Sequence, residues 1–263
     1  MLLNLAVACL LLTSSAWAQQ KASVEITSEP NHHRLLDNMF VRVYAVTVNP
    51  KASTLMHHHG HDYLTVALGN SEIQNIKEGS QPATVRFKDG DVRFATAGLV
   101  HAIANKGDTA FRNVTIELLQ PTTNQKACTE SCAIPVPCGS TDKARCPSVT
   151  KIMTSDQWSV TEVVMPPGST YPRHTHLANF VVVPLTDADV KMRDQDGPET
   201  EAHHKAGEVR WNNPIVHTVV NAGSQPTKVV VLEFRGRPSG EGSESMAPPG
   251  EKSDGRTPHD HHR

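Results

Sequence analysis

From Phe40 onward the chain alternates with a period of two. Val41, Val43, Ala45 and Thr47 take one side and Arg42, Tyr44, Val46 and Val48 the other; Asn49-Pro50-Lys51-Ala52 reads as the turn that ends the strand. Residues 65–68, 84–87, 92–94 and 114–119 read as further strands, separated by Gly69-Asn70, Lys88-Asp89-Gly90 and Lys106-Gly107-Asp108. The pattern stops near residue 120 and resumes near Lys151, with strands expected over 160–164, 181–185, 209–211 and 229–234 and a turn at Pro166-Pro167-Gly168. Short strands at regular spacing predict an all-β sandwich or barrel. Residues 19–36 are polar and mixed, and His32-His33 read there as a surface loop.

The chain also repeats itself about 117 residues apart. Met56-His57-His58-His59-Gly60-His61-Asp62-Tyr63-Leu64 aligns without a gap with Arg173-His174-Thr175-His176-Leu177-Ala178-Asn179-Phe180-Val181. Gly90-Asp91-Val92-Arg93-Phe94 then matches Gly207-Glu208-Val209-Arg210-Trp211, and His101 to Asn105 matches His217 to Asn221 after a one-residue shift. The repeat divides the 263 residues into two units, 36–120 and 151–235, each long enough for a modest core. Between them, residues 121–150 carry four prolines and Cys128, Cys132, Cys138 and Cys146 and read as a linker. Residues 236–263, rich in Gly, Ser, Pro, Glu and Lys, have almost nothing to bury and read as a disordered tail; its closing His259-Asp260-His261-His262 reads as solvated.

Composition narrows the setting. Residues 2–12 are mostly apolar and Ala16-Trp17-Ala18 offers a small-x-small cleavage site, so 1–18 is expected to be a signal peptide and the protein exported, to a periplasm or beyond the cell. Cys9 lies inside this stretch. No later segment has the roughly 18 continuous apolar residues of a membrane span. In an exported chain the four remaining cysteines read as disulfides, with all three connectivities open; their spacings lack the close pairs of common zinc motifs. A formal charge of −2, no basic run and only 5% aromatics exclude nucleic acid as an expected partner and leave a small molecule. The compositional anomaly is 15 histidines.

His-x-His on a strand places both imidazoles on one face. His57 and His59 therefore converge, as do His174 and His176, while His58, aligned with Thr175, should face away. A distant third histidine in each copy, His101 and His217, would complete two three-histidine sites for a divalent transition metal: Fe, Zn, Mn, Cu or Ni. The motifs resemble those of the cupin superfamily, in which His-x-His is followed by Gly-x5-Pro-x-Gly-x2-His-x3-Asn. Gly90-x5-Thr96-x-Gly98-x2-His101-x3-Asn105 matches with Thr for Pro; the second copy keeps Gly207, His217 and Asn221 but is one residue short. The doubled motif resembles a two-domain cupin, or bicupin. The resemblance covers 36–120 and 151–235 and implies two antiparallel jelly-roll barrels in tandem, with His57, His59, His101 and His174, His176, His217 as ligands.

One departure matters. The superfamily's motif glutamate should fall four or five residues after the second histidine. Tyr63 and Leu64 stand there in the first copy, Phe180 and Val181 in the second. Three-histidine sites of this superfamily are similar to those of iron dioxygenases acting on thiols, diketones or gentisate-like aromatics. The resemblance therefore implies an O2-dependent dioxygenase acting on a small polar or aromatic substrate. A metal- or small-ligand-binding barrel without turnover is the alternative. His61, Asp62 and Tyr63 favour the first copy for turnover and for the tighter metal, since Ala178, Asn179 and Phe180 replace them. Tyr63 reads as a general acid or hydrogen-bond donor, or as core packing. His61 and Asp62 read as supports around a ligand, or as loop residues. Glu117 and Glu233 recur at matching positions, as anchors for a ligand histidine or as structural ion pairs.

Overall fold

The computed structural model describes residues 23–235, Asp196 apart. The expected signal peptide with Cys9, and the expected tail, lie outside the described residues. Among the described residues there is no α-helix, and no helix long and apolar enough to cross a membrane.

Each half of the chain makes two facing sheets, the jelly-roll arrangement. In the first half one sheet runs in the order Val24–Glu25, His57–His58, Val100–Asn105, Ser71–Lys77, Ala83–Phe87. The other runs His32–Asp37, Val41–Val48, Phe111–Leu118, Asp62–Ala67, Val92–Ala95. In the second half a four-stranded sheet, Thr170–His176, Ile215–Asn221, Ala188–Asp194, Glu199–His204, faces a larger one. That larger sheet is centred on Ser148–Thr154, Trp158–Met165, Thr227–Phe234 and Phe180–Pro184. The fold is all-β: two small barrels in tandem.

The pairing register repeats as the sequence does. Glu117 opposes Arg42 where Glu233 opposes Ser159, and His57 opposes His101 where His174 opposes His217. The strand His32–Asp37 corrects the surface-loop expectation for His32-His33. It pairs with Val41–Val48, and a bulge falls between Arg34 and Leu36; Ser148–Thr154 has the same bulge between Lys151 and Met153. The strand was hidden because its outer residues are polar.

The segment between the repeats is built into the second barrel. Lys126–Ala127 and Ala133–Ile134 both add to the edge of Ser148–Thr154, covering amide and carbonyl groups that an open edge would expose. Cys128–Cys132 and Cys138–Cys146 form disulfides that staple this cover. Loops this short should each contribute on the order of 2–3 kcal/mol by restricting the unfolded chain. Thiol titration of the denatured, unreduced protein is expected to find none of the four reactive; four free thiols would refute the pairing.

The barrels pack through one shared core. Val41, Val43, Leu64, Val66 and Val114 from the first join Trp158, Val160, Val181, Val183 and Leu232 from the second. Phe40 sits 5.2 Å from both Trp211 and Phe234, ring centre to ring centre. The contact is reciprocal at two turn glycines. Gly90 (φ +81°) approaches Leu185 so closely that a Cβ would lie 2.7 Å from its Cδ1. Gly207 (φ +82°) meets Leu68 in the same way, at 2.8 Å. The positive φ and the missing side chain are both needed at these positions.

Candidate metal centres

In the first barrel His57 and His59 are each 1% exposed, while the His58 side chain turns outward beside Glu25. His57 Nδ1 donates to the Leu55 carbonyl at 2.9 Å, and His101 Nδ1 to Asn75 Oδ1 at 2.9 Å. A carbonyl oxygen only accepts, so each ring spends its one proton there and presents Nε2 as a lone pair. His59 Nε2 lies 3.2 Å from His101 Nε2. The second barrel repeats this. His174 Nδ1 donates to the Pro172 carbonyl at 2.9 Å, and His217 Nε2 lies 3.0 Å from His174 Nε2. In each contact one Nε2, that of His101 or of His174, offers a lone pair, as a metal ligand does. The buried His57 Nε2 and His59 Nδ1 have no hydrogen-bond partner, which also fits a metal.

Donor atoms of His174, His176 and His217 all lie within 4.8 Å of one another. In the first barrel the set within that distance is His57, His59 and His32, with His101 joining through His59. His32 is the functional candidate that sequence reading passed over. It lies outside both repeated motifs, and its only signal was an unexplained His-His pair.

The position of the missing motif glutamate is filled by a ring. Tyr63 stacks on His59 and Phe180 on His176, each at 3.9 Å between ring centres. Burial pushes the Tyr63 phenol up, so its hydroxyl stays protonated. Asp62 Oδ1 accepts from the Ala97 amide at 2.8 Å, and its counterpart Asn179 donates to Asn213 Oδ1 at 2.9 Å; both fasten a loop. His61 is half-buried on the side of Glu117. The two recurring glutamates divide between the roles open to them. Glu233 accepts from His176 Nδ1 at 3.0 Å and from the Leu177 amide at 3.1 Å, orienting the imidazole. Glu117 pairs with Arg42 at 3.4 Å, a partner that Ser159 cannot supply in the second copy. Burial raises the Glu117 carboxyl against the pull of Arg42. His203 is exposed and pairs with Asp189, whereas His204 is buried and lines the second cavity.

The two interiors differ in size and character. The first barrel encloses about 210 Å³, the second about 510 Å³. Register explains the difference: Tyr44, Phe87 and Phe111 of the first are Thr161, His204 and Thr227 in the second. Three polar residues of the first wall, Asn75, Asn113 and Thr115, are replaced by Met192, Val229 and Val231.

Burial, then the charges of neighbouring histidines, holds His59 at about 2 and His101 at about 3; burial holds His57 and His217 at about 4. All four are neutral at pH 7, the form that binds metal. Their folded pKa values lie below the unfolded value of 6.5, so the unfolded chain binds more protons in the window between. Metal-free protein is therefore most stable above pH 6.5 and loses stability as pH falls through about 4. Thermal unfolding in chelator should show the midpoint dropping by several degrees across that window; a flat profile would contradict the neutral cluster.

No family model and no curated protein matches the sequence. Solved structures do match in fold. AerE from Microcystis aeruginosa is 10% identical, with 79% of this chain and 99% of that chain covered and a TM-score of 0.53. Bacillus subtilis oxalate decarboxylase is 13% identical, with 77% and 75% covered and a TM-score of 0.52. A cupin 2 conserved barrel domain protein from Leptotrichia buccalis is 12% identical, with 78% and 88% covered and a TM-score of 0.48. Two facing-sheet barrels in one polypeptide, each carrying a histidine cluster that could hold a metal, give this chain a bicupin-like fold.

Proposed function

We propose that this chain is an exported, metal-dependent bicupin whose second barrel receives a small organic substrate, with dioxygenation as the reaction. The observation that carries the reading is His174, His176 and His217 at the wall of the 510 Å³ cavity. When bound, a divalent ion supplies Lewis-acid chemistry and, if redox-active, one-electron chemistry. The protein's own residues do the rest. Pro172 and Glu233 aim the His174 and His176 rings, and Phe180 fixes the His176 plane. Val163, Val182, Val231, Met165 and Met192 exclude water and suit an apolar substrate body. Arg210 lines the same cavity and its Nε–H is buried without a partner, a donor for an acceptor group on the substrate. In dioxygenation both atoms of O2 enter the product and the substrate supplies the electrons, so no further reductant is required.

The site moves to the second barrel because the first has less room and Tyr63 is committed to stacking on His59. The donor set favours Fe, Zn, Cu or Ni, which imidazole suits, over Mn, which prefers carboxylate; Bacillus subtilis oxalate decarboxylase, a neighbour in fold, has Mn(II) centres. The two disulfides support an oxidising compartment. The experiment is elemental analysis of protein from its native host, followed by O2 uptake with thiols, diketones and catechol-like compounds. Substrate-dependent uptake abolished by His176→Ala is the expected result. Metal and ligand binding without uptake would replace catalysis by the binding-protein reading.

A further inference from the structure

The two barrels are unequal in the number of imidazoles they converge. His32 opens the strand His32–Asp37, and its side chain is 4% exposed. Its ring lies 4.8 Å from that of His57 and 6.2 Å from that of His59. Glu29, 2% exposed, accepts from His32 Nδ1 at 2.6 Å. The same carboxylate accepts from the Asn31 amide, Asn31 Nδ2 and the Leu55 amide at 2.8, 2.9 and 3.1 Å. A fixed carboxylate on Nδ1 is the support that metal-ligating histidines use, and it leaves the other ring nitrogen as the donor. His57 Nε2, in the neighbouring ring, is buried without a hydrogen-bond partner.

The second barrel lacks the arrangement. His32 opposes Val46, and at the repeat-equivalent place Val149 opposes Val163. We propose that His32 is a fourth metal ligand in the first barrel, beside His57, His59 and His101, with Glu29 as its positioning residue. The inference rests on the metal-binding reading above and deepens it. Four imidazoles satisfy a tetrahedral divalent ion, with Zn–N bonds of about 2.0–2.1 Å, and leave no open position. The first barrel is then a closed, structural centre of the Zn(II) class, and open coordination is confined to the second.

The test uses the full chain with His174→Ala and His176→Ala to silence the second barrel, loaded with Co(II) alone. The parent should take up one Co(II) with the intense visible absorption of a four-coordinate ion. His32→Ala should give the weak absorption of five- or six-coordinate Co(II) and an affinity at least roughly 10-fold lower in chelator competition. Glu29→Gln should retain the absorption while lowering affinity by roughly 10-fold and moving its pH profile. X-ray absorption of the Zn(II)-loaded parent, which needs no substitution in the first barrel, should count four imidazoles. Three imidazoles, or His32→Ala with unchanged spectrum and affinity, overturns the fourth ligand and leaves the metal site standing. No Co(II) uptake by the parent overturns the metal reading with it.

Discussion

His59→Ala is expected to strip the first barrel of its metal, whereas His176→Ala leaves one tightly held equivalent per chain. His59 is buried at the centre of its cluster, with its Nε2 against His101 and its donor atom within 4.8 Å of those of His32 and His57. Removing it takes one imidazole from the converging set and leaves a void beside His101 and Tyr63. Water entering there cannot restore the geometry held by Leu55 and Asn75. Loss of a direct ligand should exceed the roughly 10- to 100-fold that supporting residues command. Because bound metal stabilises by mass action, the variant should also lose the midpoint shift that metal gives the parent. The second centre converges fewer imidazoles, so its loss removes the weaker equivalent. Elemental analysis after dialysis against a graded series of chelators reads both variants. Equal losses would sink the ranking of the two sites.

Trp158→Ala should destabilise the whole chain by about 3–5 kcal/mol while leaving a single unfolding transition. The side chain is 1% exposed and belongs to the core that both barrels share; its ring lies 6.0 Å from that of Phe94 in the first barrel. The surrounding valines are held on paired strands and cannot collapse into the cavity. For a fold of this size the loss corresponds to a fall in midpoint of roughly 10 °C. Far-ultraviolet circular dichroism and tryptophan fluorescence should trace one curve. Two separated transitions would show that the barrels stand independently.

The sequence made the barrels and most of the histidine cluster legible because two signals repeated in step: the period-two strands and the His-x-His blocks. Repetition separated His57 and His59 from His58, which no single copy could do. It failed where the copies differ. His32 has Val149 as its counterpart, so the repeat holds no second copy of it. Glu29, which orients it, sits in a polar stretch with no strand pattern. Strands such as Ser71–Lys77 and Glu199–His204 also escaped, since their residues are largely polar and only the pairing partner defines them. Whether Glu117 or Glu233 would orient an imidazole depended on Arg42, which lies 75 residues from Glu117. Cavity size was unreadable because it arises from Tyr44, Phe87 and Phe111, on three different strands, meeting in one interior.

The reciprocal contacts of Gly90 with Leu185 and of Gly207 with Leu68 give the chain the form of a homodimer carried in one polypeptide, each half presenting the same face to the other. In a true homodimer every change in the interior would occur twice. Here the joined halves must stay alike only where they touch, so a large cavity could open in one without loosening the histidine cage of the other.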